Sequence, residues 1–393
     1  MRRQAAFAGR PDVPYDRELI RSGGASGDRR NGPPSRQARR IRRQPSPGPR
    51  HRRRRSAFRT IRTVIFVVLL LAIVGVVLLG VRAAAFNASV STAAFPSSAL
   101  LGPLNGSDRV NVLMIGYGGG DHAGAYLADS IQVLSIDPET DATTAIPIPR
   151  DLWVEGVSAF PQNGKINEVF SAGQTAGGLA AGGDLLAEVV SQVTGLDVEY
   201  WLSIDFEGFE EMVDAVGGIT VRNPRGFSYA THERAHQRGN WSAGTFERGE
   251  LHLDGGQALM YSRARYTSVR EESTDFARSA RQARVIAGLR DKIGDGGPAA
   301  IIPGLQLMGA LEGRMLTNVS AVDLALLAGH LSPDRRVELT EGAVLTATTN
   351  TIGQYILIPF DWTGPGAYGG LHAYLQAELA KPIEAVPTAS DAP

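Results

Sequence analysis

The chain has 393 residues, with 40 Lys plus Arg against 40 Asp plus Glu and no cysteine. That length allows one large domain or two smaller ones, and the absence of Cys excludes a disulfide framework, thiol chemistry and Cys-ligated metal. The zero formal charge hides a polarity, because residues 1–62 are crowded with Arg and nearly free of acids, which leaves the remainder net acidic.

Residues 1–62 carry too little apolar material to bury and read as a disordered arm. Residues 63–81 (TVIFVVLLLAIVGVVLLGV) are apolar and uncharged. At about 1.5 Å per residue they cross a hydrocarbon core of about 30 Å. The run is longer than the core of a cleavable signal peptide and further from the N-terminus. It reads as an uncleaved, single-pass signal anchor in a cytoplasmic membrane. The positive-inside rule keeps the Arg-rich arm cytoplasmic and sends everything after Val81 outside. The Arg run then serves topology and attraction to anionic lipid, so a lipid bilayer is an expected partner and nucleic acid is not. Residues 82–107 read as a small-residue tether, 108–293 as the main domain, 294–380 as a C-terminal extension packing on it, and 381–393 as a disordered tail.

Within the domain, residues 110–115 (VNVLMI) suit a buried strand. The glycine-rich stretch 116–120 follows, then Asp121 and His122. Such a loop can bring backbone N–H groups to phosphate or simply turn the chain, and no G-K-[ST] accompanies it. Residues 130–136 and 143–148 read as a hairpin turned by 138–141. Pro147 and Pro149 fix its end and hold Arg150 at a rigid edge. Apolar spacing predicts a helix over 179–194 that stops at Gly195. A strand over 200–204 leads to a helix over 205–216, with Asp205 as N-cap and Gly217 and Gly218 as the stop. Residues 219–221 begin another strand. Residues 222–248 read as a polar surface loop, where His232 and His236 lack the H-E-x-x-H pattern of a zinc site.

Residues 251–257 lead into a short helix, and 260–266 read as a strand with Arg263 and Arg265 on one face. Residues 274–293 read as a helix with Asp275, Arg278 and Gln282 on one face. Ile286, Leu289 and Ile293 continue that face and turn it inward; Arg281 lies about 60° round from Arg278. Buried charge is costly unless it is paired or holds a ligand. Converging guanidiniums suit phosphate, whose oxygens the planar fork binds bidentately. The same residues also suit a structural Arg–Asp network or a solvated basic face. Helices over 301–311 and 321–331 and strands over 337–345 and 355–358 close the domain. The alternation implies an α/β or α+β fold with a central β-sheet flanked by helices; the α/β reading, with a mixed sheet, is the one taken forward.

An ordered set of motifs runs along 108–293: NVLMIGY, then Asp129-Ser-Ile, Ile148-Pro-Arg-Asp151 and Lys165-Ile-Asn167, then DFEGF from Asp205, VDAVGGI from Val213, LDGGQAL from Leu253, YSRAR from Tyr261 and DFARSARQ from Asp275. The set resembles the LytR–CpsA–Psr family of bacterial cell-envelope phosphotransferases. The resemblance implies an α/β/α sandwich behind one transmembrane helix, with a hydrophobic pocket for a lipid chain. It implies transfer of a glycopolymer, with its proximal phosphate, from a polyprenyl-pyrophosphate carrier to a peptidoglycan hydroxyl, polyprenyl phosphate leaving.

The same resemblance puts Arg150, Asp129, Asp275, Arg263 and Arg265 in the catalytic site. It puts Lys165, Arg278 and Gln282 at the pyrophosphate with Arg150, Arg263 and Arg265; Arg281 joins them from its place on the helix, at the ligand or one layer behind Arg278. Asp129 matches a carboxylate that binds Mg2+ or another divalent cation, a hard ion suited to bridging phosphate oxygens. Many members carry a second Asp soon after the first strand; here Tyr117-Gly118 stands in that place, with Asp121 and His122 as the nearby substitutes. That departure leaves metal use open, and with it a non-catalytic binder or scaffold for lipid-linked intermediates. Water in place of the sugar hydroxyl would make the protein a hydrolase. A transcription regulator fits poorly with a folded domain outside the membrane.

Overall fold

The computed structural model describes residues 52–93, 109–230, 237, 243–293 and 301–383. Helix α1 (Arg52–Val90) is longer than the apolar run at its centre, and its stretch Thr60–Val90 is long and apolar enough to cross a membrane. The first part of the expected tether is a continuation of this helix. Ala is the best helix former, and Phe86 and Val90, the large residues among Ala83–Ala85 and Ala88, fall one turn apart on one face. Both are buried with Met315 and Ala321. Asn87 Oδ1 accepts the Ala321 N–H at 2.8 Å, and Ser91 bridges to Thr317 in parallel. Residues 52–62 of the arm, expected to be disordered, form the first turns of α1, while residues 1–51 of the arm and the tether from residue 94 lie outside the described residues.

From Val68 onward the chain forms one compact unit. Strands β1 (Val110–Tyr117), β2 (Ala128–Ile136) and β3 (Thr143–Pro147) are antiparallel neighbours, as the apolar runs and the 138–141 turn predict. A small ladder, β4 (Trp153–Val154) with β5 (Gly164–Lys165), leads into helix α2 (Ile166–Thr194). The expected helix over 179–194 is the second half of α2, which is broken at Gly177 and Gly178, the latter at φ 84°. A Cβ on Gly183 would lie 2.4 Å from the Trp201 indole, so this helix needs glycine to reach the sheet. Strand β6 (Tyr200–Asp205) runs parallel to β1 and pairs Asp205 with Tyr117. Helix α3 (Phe206–Ala215) follows at once, capped by Asp205, whose side chain accepts the Gly208 N–H at 2.7 Å.

Where it is described, the polar loop expected over 222–248 is more than half strand. Strand β7 (Ile219–Asn223) pairs with β10 (Gly249–Leu253), and β8 (Phe227–Ala230) lies between β9 (Gly244–Phe246) and β11 (Tyr266–Thr267). Phe227, Phe246 and Tyr261 pack into a second apolar cluster with Ile219, Val221 and Leu289, and that burial overrides the polar composition. His232 and His236 lie outside the described residues. The expected strand over 260–266 is also corrected. Helix α4 (Gly255–Arg263), nucleated by a reciprocal capping box between Asp254 and Gln257, occupies the first four of those residues, and Tyr266 alone of that stretch is strand, in β11. Helix α5 (Asp275–Ile293) is where the spacing put it. Its buried face is Arg281, Val285, Gly288 and Leu289, roughly a quarter-turn from the face predicted through Arg278, Gln282 and Ile286.

Helix α6 (Ile301–Leu311), strand β12 (Met315–Thr317) and helix α7 (Ala321–Leu327) follow. The predicted helix to 331 ends instead in a short 3-10 turn, Ala328–His330. Strand β13 (Arg335–Arg336) runs parallel to β3, and β14 (Leu345–Thr349) pairs with β15 (Tyr355–Pro359). The strand expected over 337–345 is buried but largely irregular chain, with Val337, Leu339 and Val344 in the main core. Helix α8 (Gly369–Leu379), which no sequence pattern announced, returns Leu371 and Leu375 to that core. The central sheet has six strands in the order β12-β6-β1-β2-β3-β13. It is mixed and flanked by helices, and residues beyond 293 supply two of its strands rather than a separate extension.

Candidate active site

Asp129 is the second residue of β2, and its two carboxylate oxygens face two arginines. Arg150 Nη1 donates to Oδ1 at 2.7 Å, and Arg263 Nη2 lies 3.9 Å from Oδ2. Arg150 stands on the proline-fixed edge after β3. Its Nε is 3.7 Å from Asp151, whose other oxygen accepts from Lys165 Nζ at 2.6 Å. Four separate segments thus supply one continuous line of charge: Lys165, Asp151, Arg150, Asp129, Arg263. The line carries a net positive charge. Asp129, Arg150 and Arg263 are 32%, 26% and 42% exposed, open to a ligand yet partly shielded from water.

Arg263 ends α4 and lays its guanidinium over the Phe206 ring at 3.9 Å. A stacked cation is both attracted and held in one orientation. Burial pulls its pKa down, Asp129 opposes that and Arg150 adds to it; an arginine so placed remains charged. Around Arg150, its own Nε and the buried Asn167 Oδ1 have no hydrogen-bond partner among the described residues. A donor and an acceptor are therefore held in reserve at Arg150, the middle of the line.

Arg281 has a different place from the one expected. It is fully buried. Its Nε donates to the Tyr261 carbonyl at 2.8 Å, and Nη1 donates to both the carbonyl and the carboxylate of Glu272 at 2.9 Å. Nη2 donates to the Ala264 carbonyl. The Tyr261 and Ala264 carbonyls belong to the end of α4, where helical geometry leaves them without partners, and the Glu272 carbonyl to the 3-10 turn Arg270–Ser273 before α5. Arg281 is a positioning residue for the turn that carries Arg263 and Arg265, not a group presented to a ligand. Arg265, Arg278 and Gln282 are half-buried on that turn and on the first turns of α5. Asp275 opens α5, and its side chain lies outside the described residues.

The LytR_cpsA_psr family matches residues 82–357. The chain belongs to this family. A Bacillus cereus (strain AH820) relative named polyisoprenyl-teichoic acid--peptidoglycan teichoic acid transferase TagU is 30% identical over 187 residues, 47% of this chain and 53% of that protein. An Oceanobacillus iheyensis protein of the same name is 33% identical over 181 residues, 46% of this chain and 50% of its own length. The chain thus spans about half the length of the curated relatives it matches. The crystal structure of B. subtilis TagV shares the fold, with a TM-score of 0.51 and 22% identity over 69% of this chain and 97% of that one.

In this LytR–CpsA–Psr chain the place of the second acid is taken by a core residue. Tyr117 is buried, stacked on Tyr126 with centroids 5.9 Å apart and tilted against Phe170 at 5.1 Å. Burial, then the neighbouring Asp205, push its phenol well above the usual range. It cannot serve a metal. Asp121 is exposed in the loop after β1. Among the described residues no three His, Cys, Asp or Glu side chains stand together to hold an ion. Were a divalent cation to bind at the arginines, Asp129 would offer it one carboxylate, within the one or two that Mg2+ takes from a protein.

Two members of the site were missed from the sequence. Asp151 links Arg150 to Lys165, and its position directly after Arg150 in Ile148-Pro-Arg-Asp151 was the signal available. Phe206 supports Arg263 across the fold, and no local pattern marks such a contact.

Proposed function

We propose that the chain is a membrane-anchored phosphotransferase. It moves a glycopolymer with its proximal phosphate from a polyprenyl-pyrophosphate carrier to a peptidoglycan hydroxyl. Helix α1 is its single membrane span in a bacterial cytoplasmic membrane, with the Arg-rich arm cytoplasmic and the folded domain outside. The observation that carries this reading is the meeting of Arg150 and Arg263 on Asp129, with Lys165 beside them, in a member of this family. Phosphoryl transfer asks a protein chiefly for positioning and charge stabilisation.

Without substrate, Asp129 and Asp151 hold the cations in place. An arriving pyrophosphate offers them oxygens of greater charge, and the guanidiniums turn to it. The acceptor hydroxyl oxygen attacks the glycan-proximal phosphorus as its proton passes to solvent, the bond to the polyprenyl phosphate oxygen breaks, and polyprenyl phosphate leaves with its charge matched by the arginines. Arg265, Arg278 and Gln282 extend the pyrophosphate site, and Asp275 orients the arginines. Asp129 would hold Mg2+ when it binds, and the ion would draw charge from the phosphate oxygens.

The test is transfer by the full chain in proteoliposomes, with the phosphodiester product read by mass spectrometry. Arg263→Ala should lower turnover by about 100-fold or more, the loss typical of one oriented charge donor. Arg263→Lys should recover little, because a lysine neither forks nor stacks in the same way. Wild-type activity retained by both variants would remove Arg263 from the chemistry. Free phosphorylated glycan at saturating acceptor would make the protein a hydrolase, and retained lipid without turnover would make it a binder.

A further inference from the structure

Helix α6 has the sequence IIPGLQLMGAL: it carries no charge and buries none of its residues. Ile301, Ile302 and Leu305 are 48%, 69% and 37% exposed. With Gln306 and Gly309 they form one continuous arc of the helix. An uncharged helix with its large apolar side chains turned outward is out of place in water.

Its surroundings say what covers it. Arg82 is the first charged residue after the apolar run 63–81, and it forms an ion pair with Glu312, the residue directly after α6. Met308 and Leu311 of α6 pack on the cluster of Phe86, Val90, Met315 and Ala321. The C-terminal end of α6 is therefore fastened where α1 leaves its apolar stretch, which is headgroup depth for a helix that spans a bilayer. Arg314 fastens the same end to α3, reaching Glu207 at 2.7 Å and Glu211 at 3.5 Å. Phe206, the first residue of α3, supports Arg263. So α6 is tied on one side to the membrane exit and on the other to the helix beneath the arginine site.

We propose that α6 is an interfacial membrane helix, its Ile301, Ile302 and Leu305 face set into the acyl boundary of the leaflet from which α1 emerges. Its occupant is lipid bilayer. A short helix with an apolar outer face lies in the interface plane and does not span. The inference rests on the reading of α1 as a membrane span. It gives the proposed reaction a physical aid, since a domain seated on the leaflet meets a lipid-borne pyrophosphate at the height of the headgroups.

The absence of cysteine makes the test direct. Single variants Ile302→Cys, Val76→Cys and Thr140→Cys of the full chain would each carry an environment-sensitive fluorophore. Each would be reconstituted in phosphatidylcholine–phosphatidylglycerol vesicles containing spin-labelled lipid at shallow or deep positions. Thr140 is exposed in the turn joining β2 to β3, at the end of the sheet opposite Asp205. The expected result is a blue shift and loss of most emission for position 302 with shallow spin labels, deep quenching for position 76, and neither for position 140. Quenching at 76 without quenching at 302 overturns the α6 inference and leaves the anchor standing; a disulfide between two copies of the unlabelled Ile302→Cys chain, formed with copper phenanthroline as oxidant, would then assign that face to self-association. No quenching at 76 or 302 overturns both readings.

Discussion

Arg263 and Arg281 lie eighteen positions apart in the same run of motifs and do opposite things. One points its fork at a second-strand carboxylate; the other spends its fork on the carbonyls at the end of the first one's helix. Because Arg281 is paired with the buried Glu272, removing it strands a carboxylate away from water. Arg281→Met should cost about 3–5 kcal/mol, the usual result of breaking a buried pair from one side. Lys should not rescue it, since one ammonium cannot reach the carbonyls of Tyr261, Glu272 and Ala264 together. Thermal melts of the full chain in detergent check this, and a melting temperature unchanged in Arg281→Met would remove its structural role. The resemblance placed Arg150 with Arg263, and spacing alone suggested only that the arginines from 263 to 281 converge. It could not separate ligand-facing from buried arginines. Spacing tells which residues share a face of α5, and the packing of Val285 and Leu289 decides which face goes in.

The elements that were legible are those whose local signals agree. The buried runs of β1 and β2, the turn between β2 and β3, and the step from β6 through Asp205 into α3 each carry an apolar run and a cap or turn residue. Alternation misled at 260–266, where two arginines two apart imitate a strand; the capping box of Asp254 and Gln257 was the stronger signal and was already in the sequence. Asp205 adds a pH test at this scale. Burial is the largest influence on its carboxyl and raises its pKa, with the Gly208 N–H and Arg314 opposing. A raised native pKa means that the folded state holds the proton more tightly than the unfolded state, so stability falls as pH rises through the native value. Asn keeps the cap without the charge. Asp205→Asn should therefore melt higher than wild type at pH 7, and the gap should close as pH falls below the ordinary carboxylate range. A lower melting temperature for the variant at pH 7 would mean that the contact with Arg314, at 4.0 Å, outweighs the cost of burial.

At the scale of the molecule, the unexpected feature is the joint between α1 and the domain. A small-residue stretch such as AAAFNASVSTAA was legible only as a tether, because its few anchoring side chains find their partners more than 220 residues later, as Ser91 does at Val319 (|i−j| 228). In the structure the helix runs on to Val90, and the chain after it lies along β12. A rigid joint fixes the height and tilt of the arginine site relative to the residues of α1 just before Arg82. That matters for a donor confined to a leaflet: a site free to wander on a flexible leash dilutes its own effective concentration at the bilayer. Inserting ten Gly/Ser residues between Val81 and Arg82 leaves the Arg82 and Phe86 contacts available and adds a coil of about 18 Å root-mean-square reach. Turnover of a bilayer-embedded polyprenyl-pyrophosphate donor should then fall severalfold, while turnover of a short-chain, water-soluble donor in detergent should be unchanged. Equal loss with both donors would mean that the insertion damages the domain itself, and no loss with either would mean that the unbroken helix has no part in presenting the site to the proposed lipid-linked donor.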